Sequence, residues 1–256
     1  MPSSLSADVT AGLVIIGDEI LSGRTQDTNT ATIATFLGDR GIQLREVRVV
    51  PDIQAEIVAA VNALRTRYTY LFTTGGIGPT HDDITAEAVA VAFGLPFGRH
   101  PGAQARLLAH YGDETLLTPA RLSMADMPQG AALIENPVSG APGFQVENVF
   151  VMAGVPKIMA AMLDSLEPQL QGGTKQQSRT VSCVGKGEGD IAETLTSVLA
   201  DHPTVTIGSY PYFRTGGSGV SLVLRGADAR ALDTAAEDLA ARLAALGATS
   251  HVVPTQ

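Results

Sequence analysis

The chain has 256 residues, 45% of them hydrophobic and 17% charged, a composition that indicates a globular protein with a sizeable core and excludes a disordered or fibrous chain. The formal net charge of −9, without a long basic stretch, argues against a nucleic-acid-binding surface. The lone Cys183 excludes an internal disulfide, the first residues carry no basic leader, and no apolar run reaches the roughly 20 residues of a membrane span. We therefore expect a cytoplasmic protein that binds neither nucleic acid nor membrane.

The first third of the chain alternates between strand and helix patterns. The elements are a strand at Ala11–Ile16, a helix from Asn29 to about Gly41, a strand at Gln43–Val50, a helix opened by Pro51 and Asp52, and a strand at Tyr68–Thr73. Such alternation predicts parallel strands joined by right-handed crossovers. A ligand site is then expected at the carboxyl edge of the sheet.

The rest of the chain predicts a division into two domains. Further helices and two short strands continue the first domain, and the polar segment Gln171–Gln177 with its paired glycines is the best linker. Beyond it the predicted order is strand Arg179–Val184, helix Asp190–Ala200, strands Thr204–Ser209 and Val220–Leu224, and helix Ala229–Leu246. We predict an α/β domain over residues 8–170, with a three-layer, mostly parallel sheet, and a small α+β, ferredoxin-like domain over residues 178–256.

The most informative segment is Thr73–Ala88, which opens a helix after a buried strand and contains the Gly-rich turn Thr73-Thr74-Gly75-Gly76-Ile77-Gly78-Pro79-Thr80-His81-Asp82-Asp83. Glycines permit positive φ and leave no Cβ in the way, so consecutive N–H groups can converge on phosphate oxygens near a helix N-terminus. Pro79 and Thr80 suit the first turn or the cap of that helix. The alternative is a tight strand-to-helix turn that needs glycine for conformation alone.

The segment resembles the signature of the molybdopterin-binding (Mog-type) domain, in the form carried by the competence/damage-inducible protein A (CinA) family and by the N-terminal half of bifunctional FAD synthases. Other segments that resemble this family are Gly17–Gly23 with Asp27–Asn29, Val49–Asp52, Asn136 with Gly140–Phe144, Ala153–Met159, Gly187–Ile191, Ser209–Pro211 and Gly219–Leu222. The resemblance covers nearly the whole chain. It implies a Mog-type fold, a nucleotide or pterin ligand at the strand ends, and self-association into a homo-oligomer.

By this resemblance, Asp83 is the principal catalytic carboxylate and Asp52 a second one. The residues implied in ligand or phosphate binding are Gly75, Gly76, Gly78, Thr80, Asn29, Gly140, Pro142 and Gly143. The alternative for Asp83 and for Asp52 is a plain helix N-cap, worth about 1 kcal/mol.

The acidic residues near these loops predict a metal ion. A helix N-terminus contributes about 0.3–1 kcal/mol towards an anion, up to about 2 when partly buried, which is small for a diphosphate entering an acidic cleft. Four carboxylates, those of Asp18, Glu19, Asp82 and Asp83, therefore predict a divalent cation, Co²⁺, Ni²⁺ or Mg²⁺, that bridges phosphate oxygens and stabilises a leaving phosphate. The alternative is that these acids only cap helices and stay solvated.

The expected function is metal-dependent hydrolysis of the diphosphate in ADP-ribose or FAD-like dinucleotides. One alternative is a molybdopterin-binding or adenylylating protein of molybdenum-cofactor synthesis. A second is a catalytically silent nucleotide-binding regulator, because Ala153 and Ile158 replace a proline and a glutamate that the family often has.

Overall fold

The computed structural model describes residues 9–214 and 217–253. The chain divides into two compact units between Thr174 and Lys175. This division lies inside the predicted linker segment. Within the described ranges, no helix is both long enough and apolar enough to cross a membrane.

The first unit contains eight strands and seven α-helices in its described part. In chain order they are β1 (Thr10–Ile16), α1 (Asp18–Leu21), α2 (Asn29–Asp39), β2 (Gln43–Val50), α3 (Gln54–Arg65), β3 (Tyr70–Thr74), α4 (Thr85–Phe93), β4 (Phe97–Arg99), α5 (Pro101–Tyr111), α6 (Pro119–Ser123), β5 (Asp126–Pro128), β6 (Ala132–Ile134), β7 (Gly143–Val146), β8 (Val149–Met152) and α7 (Pro156–Ser165). Short 3-10 turns lie at Glu114–Leu116 and Glu167–Gln169.

Six strands form the main sheet in the order β2-β1-β3-β8-β7-β6. The first four are parallel, and β7 and β6 are antiparallel, which confirms the predicted mostly parallel sheet. Ile16 lies opposite Val50, and Thr74 lies opposite both Ile15 and Met152. The carboxyl ends of four strands are therefore level, and the loops that follow them meet along one edge.

Alternating residues of the sheet enter two separate cores. On one face, Val14, Ile16 and Leu71 pack with residues of α3 and α4. On the other face, Leu13, Ile15 and Phe72 pack with residues of α2 and α7. This is the period-2 pattern of strands buried on both sides, and it produces the three predicted layers. The carboxyl edge of the sheet is thus flanked by a helix layer on each face.

Two helices begin later in the chain than predicted. The N-cap of α3 is Ile53 and that of α4 is Ile84, and neither position has a side-chain cap. Asp52 and Thr80 therefore precede the helices, and the prediction that they open or cap them is wrong. Both side chains have partners within the loops instead, as described below.

The second unit consists of β9 (Gln177–Val184), α8 (Glu188–Asp201), β10 (Thr206–Arg214), β11 (Gly217–Gly226), α9 (Ala229–Ala245) and β12 (Thr249–Val253). Its four strands pair antiparallel in the order β10-β11-β9-β12, which confirms the ferredoxin-like topology. The final strand was not predicted. Cys183 is fully buried among Val181, Ile191 and Leu222 and is a core residue.

Candidate functional site

A cleft of about 560 Å³ lies at the carboxyl edge of the main sheet. This volume is within the range of roughly 300–1,000 Å³ that small-molecule sites have. Its polar and charged lining side chains are those of Glu19, Thr25, Asp52, Thr80, Asp82, Asp83, Asn136 and Ser139. Among the described residues, no lysine, arginine or histidine lines it. The cleft is therefore strongly acidic.

The Gly-rich loop after β3 is fixed at both ends. The N–H of Gly75 donates to the carbonyl of Met152 at 3.2 Å, and the N–H of Thr85 donates to the carbonyl of Gly76 at 3.0 Å. The buried Thr85 hydroxyl also donates to the carbonyl of Gly75 at 2.9 Å. Gly75 and Gly76 have φ values of 102° and 67°, which side chains with a Cβ rarely adopt.

The same loop leaves several backbone donors without acceptors. In the described part of the chain, the N–H groups of Gly76, Ile77 and Gly78 have no hydrogen-bond acceptor. All three residues line the cleft. Successive unpaired N–H groups form an anion-binding arrangement, so the loop is suited to phosphate oxygens.

Asp83 is held within the loop. Its Oδ2 accepts hydrogen bonds from the backbone N–H of Thr80 at 2.8 Å and from the Thr80 hydroxyl at 2.5 Å. A Cβ at Gly78 would lie 2.6 Å from the same oxygen. Since α4 begins at Thr85, the interpretation of Asp83 as its N-cap is wrong. Thr80 uses both donors to position Asp83, and the carboxylate lies directly beside Gly78.

Asp52, in the loop after β2, is hydrogen-bonded to the first residue of α1, which follows β1. Its Oδ2 accepts the backbone N–H of Asp18 at 2.9 Å, so the interpretation of Asp52 as the N-cap of α3 is also wrong. Burial raises the pKa of the Asp52 carboxyl, and the neighbouring charges of Asp18, Glu19 and Asp82 raise it further, against the opposing hydrogen bond from Asp18. A carboxylate with a raised pKa is a stronger base than an ordinary aspartate.

We expect Asp52→Asn to stabilise the protein at neutral pH. An asparagine Oδ1 still accepts the Asp18 N–H, while the ionised form that burial and repulsion disfavour is removed. The pKa of Asp52 is higher in the folded protein than in the unfolded chain, where it is about 3.9. Ionisation of Asp52 therefore destabilises the fold. The whole effect is present at pH values above the folded-state pKa, and it is absent below about pH 3.9. We expect a gain in Tm of roughly 1–4 °C, since such charges are worth about 0.5–1 kcal/mol and 1 kcal/mol moves Tm by about 2–4 °C.

Thermal melts of both proteins between pH 4 and pH 8 measure this effect. The difference in Tm should grow as the pH rises through the folded pKa. A variant that is less stable than the wild type at pH 7 would show that the negative charge is needed by the fold.

The other predicted site residues fall into three groups. Glu19 and Asp82 line the cleft. Pro142 lines a side cavity of about 150 Å³ beyond Asp83, and Asn29 lines a pocket of about 50 Å³ beyond Glu19. Asp18, Gly140 and Gly143 line none of these three spaces.

The two glycines outside the cleft are explained by packing. A Cβ at Gly140 would overlap the His110 side chain, and a Cβ at Gly143 would lie 2.5 Å from the carbonyl oxygen of Val151. The loop between them is ordered by Asn136, whose Nδ2 donates to the Ser139 hydroxyl at 2.6 Å and to the Ala141 carbonyl at 2.7 Å. Ser139 and Ala141, rather than the glycines, reach the cleft.

The predicted metal ligands do not form a preassembled site. Within the described ranges, no group of three or more His, Cys, Asp or Glu side chains lies close enough together to hold a metal ion. Glu19, Asp82 and Asp83 nevertheless line one cleft. A cation there would need further oxygen ligands from outside the protein.

Several lining residues were missed by the sequence analysis. They come from elements far apart in the chain and include Thr25, Met124 and Met162. Ala153 and Ile158 also line the cleft, where with Val155 they make its wall near α7 apolar. No local pattern marks these residues, because only the folded chain brings them to the same edge.

A mostly parallel sheet between two helix layers, with a Gly-rich loop at its carboxyl edge, defines a Mog-type α/β domain. Residues 12–172 match the family model for the probable molybdopterin binding domain, and residues 177–251 match that for the middle domain of FAD synthase. The chain therefore belongs to the molybdopterin-binding domain family.

Individual relatives agree with this assignment. A protein of Aeropyrum pernix is 36% identical over 211 residues, which cover 78% of each chain. A CinA-like protein of Desulfosudis oleivorans is 35% identical over 77% of this chain and 51% of its own length. The crystal structure of CinA from Thermoplasma acidophilum superposes with a TM-score of 0.59 at 39% identity, covering 62% of this chain and 96% of that one.

Proposed function

We propose that this protein uses a divalent metal ion to hydrolyse the diphosphate bond of a dinucleotide such as ADP-ribose or FAD. One observation supports the proposal most strongly. The same cleft contains backbone N–H groups without acceptors, at Gly76–Gly78, and the carboxylates of Asp52, Asp82 and Asp83. The amides suit phosphate oxygens, whereas the carboxylates repel them. Only a cation that enters with the diphosphate resolves this conflict.

The donor set fits an ion that is shared with the ligand. Mg²⁺ is commonly bound by one or two carboxylates together with substrate phosphates, rather than by an all-protein cage. Asp82 and Asp83 would hold it, and Glu19 also lines the cleft, whereas Asp18 does not. When bound, the ion would neutralise the phosphate oxygens and stabilise the leaving phosphate.

The residues of the chain then have separate roles in the proposed reaction. The amides of Gly76–Gly78 bind the phosphate oxygens, and Thr80 fixes the Asp83 carboxylate beside them. Asp52, whose pKa is raised, accepts a proton from the attacking water. The water oxygen bonds to one phosphorus, and the bridging oxygen leaves with the other phosphate. One water is consumed, and ADP-ribose yields AMP and ribose 5-phosphate.

The second unit also favours a nucleotide ligand. Residues 177–251 match the middle domain of FAD synthase. The second unit is therefore similar to a domain of an enzyme whose name refers to the dinucleotide FAD. This supports ADP-ribose and FAD as the first substrates to test.

The test follows AMP release from ADP-ribose and from FAD with Mg²⁺, Co²⁺ or Ni²⁺, and with EDTA. We expect turnover of at least one substrate with at least one metal, and its loss in EDTA. Equal AMP release with and without metal would contradict the metal's role. The absence of AMP above background under every condition would exclude the hydrolase function.

A second candidate is binding or adenylylation of molybdopterin, which the match to a probable molybdopterin binding domain favours. Tight binding of a pterin phosphate without cleavage of either dinucleotide would select it. A silent nucleotide-binding regulator is favoured by the apolar Ile158 in the cleft wall. Binding of ADP-ribose without turnover would select that function.

A further inference from the structure

A small pocket of about 50 Å³ extends the cleft towards α2. It shares Glu19, Thr25 and Gly154 with the main cleft. Its wall also contains Asn29, the first residue of α2, and Thr74, the last residue of β3. The pocket therefore opens on the face of the sheet that α2 covers, away from the side cavity beyond Asp83.

Two residues of this wall each have a buried side-chain oxygen without a hydrogen-bond partner in the described structure, Asn29 Oδ1 and Thr74 Oγ1. The two residues are only 7% and 1% exposed. The Asn29 Nδ2 donates to the Gly154 carbonyl at 2.8 Å, which orients the amide and leaves its oxygen as an unfilled acceptor. Buried polar groups almost always have a hydrogen-bond partner. Two unpaired oxygens on residues of one pocket therefore indicate a partner that is missing from the structure.

The chemistry of the wall selects the kind of partner. Asn29 Oδ1 only accepts hydrogen bonds, and the Glu19 and Asp27 carboxylates lie in the same pocket, so a phosphate is disfavoured. The volume is also too small for a nucleobase. A hydroxyl group matches the hydrogen-bonding chemistry of both atoms, because it can donate to Asn29 Oδ1 and accept from the Thr74 hydroxyl.

We infer that this pocket binds a sugar hydroxyl of the ligand whose diphosphate lies on the Gly-rich loop, an inference that rests on the proposed function. Asn29 is then a hydroxyl-binding residue rather than a phosphate-binding one, and Thr74 is an additional specificity residue. The hydroxyl belongs either to the ribose of the nucleoside or to the sugar on the other phosphate.

The strand offers a matched pair of substitutions. Thr73 also has a buried hydroxyl without a partner, but it is adjacent to Thr74 in β3 and therefore faces the opposite side of the sheet. It lines none of the three spaces at this edge. Thr74→Val and Thr73→Val each remove an unpaired hydroxyl and keep the shape, so neither should lower the Tm.

The experiment measures equilibrium binding of five fragments in Mg²⁺. AMP is compared with 2′-deoxy-AMP and 3′-deoxy-AMP, and ribose 5-phosphate is compared with 2-deoxyribose 5-phosphate. We expect the wild type to bind one hydroxylated fragment more tightly than its deoxy partner. Thr74→Val should weaken binding of that fragment by about 3- to 10-fold and leave the deoxy fragment unchanged. Thr73→Val should match the wild type. The fragment pair that responds identifies which sugar enters the pocket.

Two results would overturn the inference while leaving the proposed function intact. Equal losses for hydroxylated and deoxy fragments in Thr74→Val would show that the substitution acts on the fold of the cleft. Binding that is unchanged in Thr74→Val would show that the pocket holds only water. If the wild type binds neither ADP-ribose nor any fragment, the proposed function itself fails, and the inference with it.

Discussion

Replacing Gly76 with alanine is expected to reduce the affinity for ADP-ribose in Mg²⁺ at least 100-fold, whereas the same replacement at Gly94 leaves it unchanged. The two glycines have nearly the same positive φ values, 67° and 65°. A left-handed conformation costs a residue with a Cβ about 1–2 kcal/mol at either position. Any difference between Gly76→Ala and Gly94→Ala therefore comes from the surroundings of each glycine and not from the backbone strain, which both variants share.

The environments differ in what a Cβ meets. At Gly94, at the end of α4, nothing lies within 4 Å. At Gly76 the new carbon would overlap the Thr85 hydroxyl, which is buried and donates to the Gly75 carbonyl. Either Thr85 or the loop must move, so the unpaired amides of Gly76–Gly78 are displaced from their present positions.

Thermal melts and calorimetric titration test this pair. Overpacking costs about 1–3 kcal/mol on top of the backbone strain, so Gly76→Ala should lower Tm by roughly 5–15 °C and Gly94→Ala by only a few degrees. Both should remain folded at 15 °C, where binding is measured. Unchanged affinity in Gly76→Ala would mean that the loop does not contact the ligand.

Asp83→Asn is expected to lower the rate of AMP release at least 100-fold without unfolding the loop. An asparagine Oδ1 accepts the same two hydrogen bonds from Thr80 that Asp83 Oδ2 accepts, so the turn stays in place. What disappears is the negative charge that the proposal assigns to the metal ion. In EDTA, the variant should bind ADP-ribose no more weakly than the wild type, because one repulsive charge has been removed.

Asp83→Ala provides the comparison. It removes the charge and also leaves the Thr80 N–H without its acceptor, so it should lose the same activity and in addition about 1 kcal/mol of stability. Initial rates of AMP release and melts of all three proteins measure both effects. If Asp83→Asn keeps more than half of the wild-type rate, Asp83 is a structural residue of the turn and not part of the reaction.

The architecture and the location of the site could be predicted from the sequence, because both depend on local patterns. The β-branched run at Ala11–Ile16 and the amphipathic helices specify buried parallel strands and their covering layers. Parallel strands bring the loops after them to one edge. Strands of three residues, such as β4 and β5, and the polar edge strand β12 are too short or too polar to have a pattern.

The roles of individual residues were harder to predict, because tertiary partners decide them. Asp52 and Asp83 stand just before α3 and α4 in the sequence, but neither caps the helix that follows it. Asp52 accepts the N–H of Asp18, the first residue of α1, and Asp83 accepts hydrogen bonds from Thr80 in its own loop. Gly140 was predicted to bind the ligand, but the group that a Cβ there would meet is the His110 side chain. Thr74 lies in the Gly-rich segment without a predicted role, and only the folded chain shows that its hydroxyl is unpaired.

The most direct test of the central claim is an amide NMR titration of the 26.5 kDa chain with an uncleavable methylene analogue of ADP-ribose in Mg²⁺. The proposed site predicts that the largest shifts fall on the amides of Gly76, Ile77 and Gly78. The second Gly-rich turn, Gly185–Gly189, should be unaffected. Shifts confined to that turn, with the amides of Gly76–Gly78 unchanged, would contradict the assignment of the loop after β3 as the phosphate site.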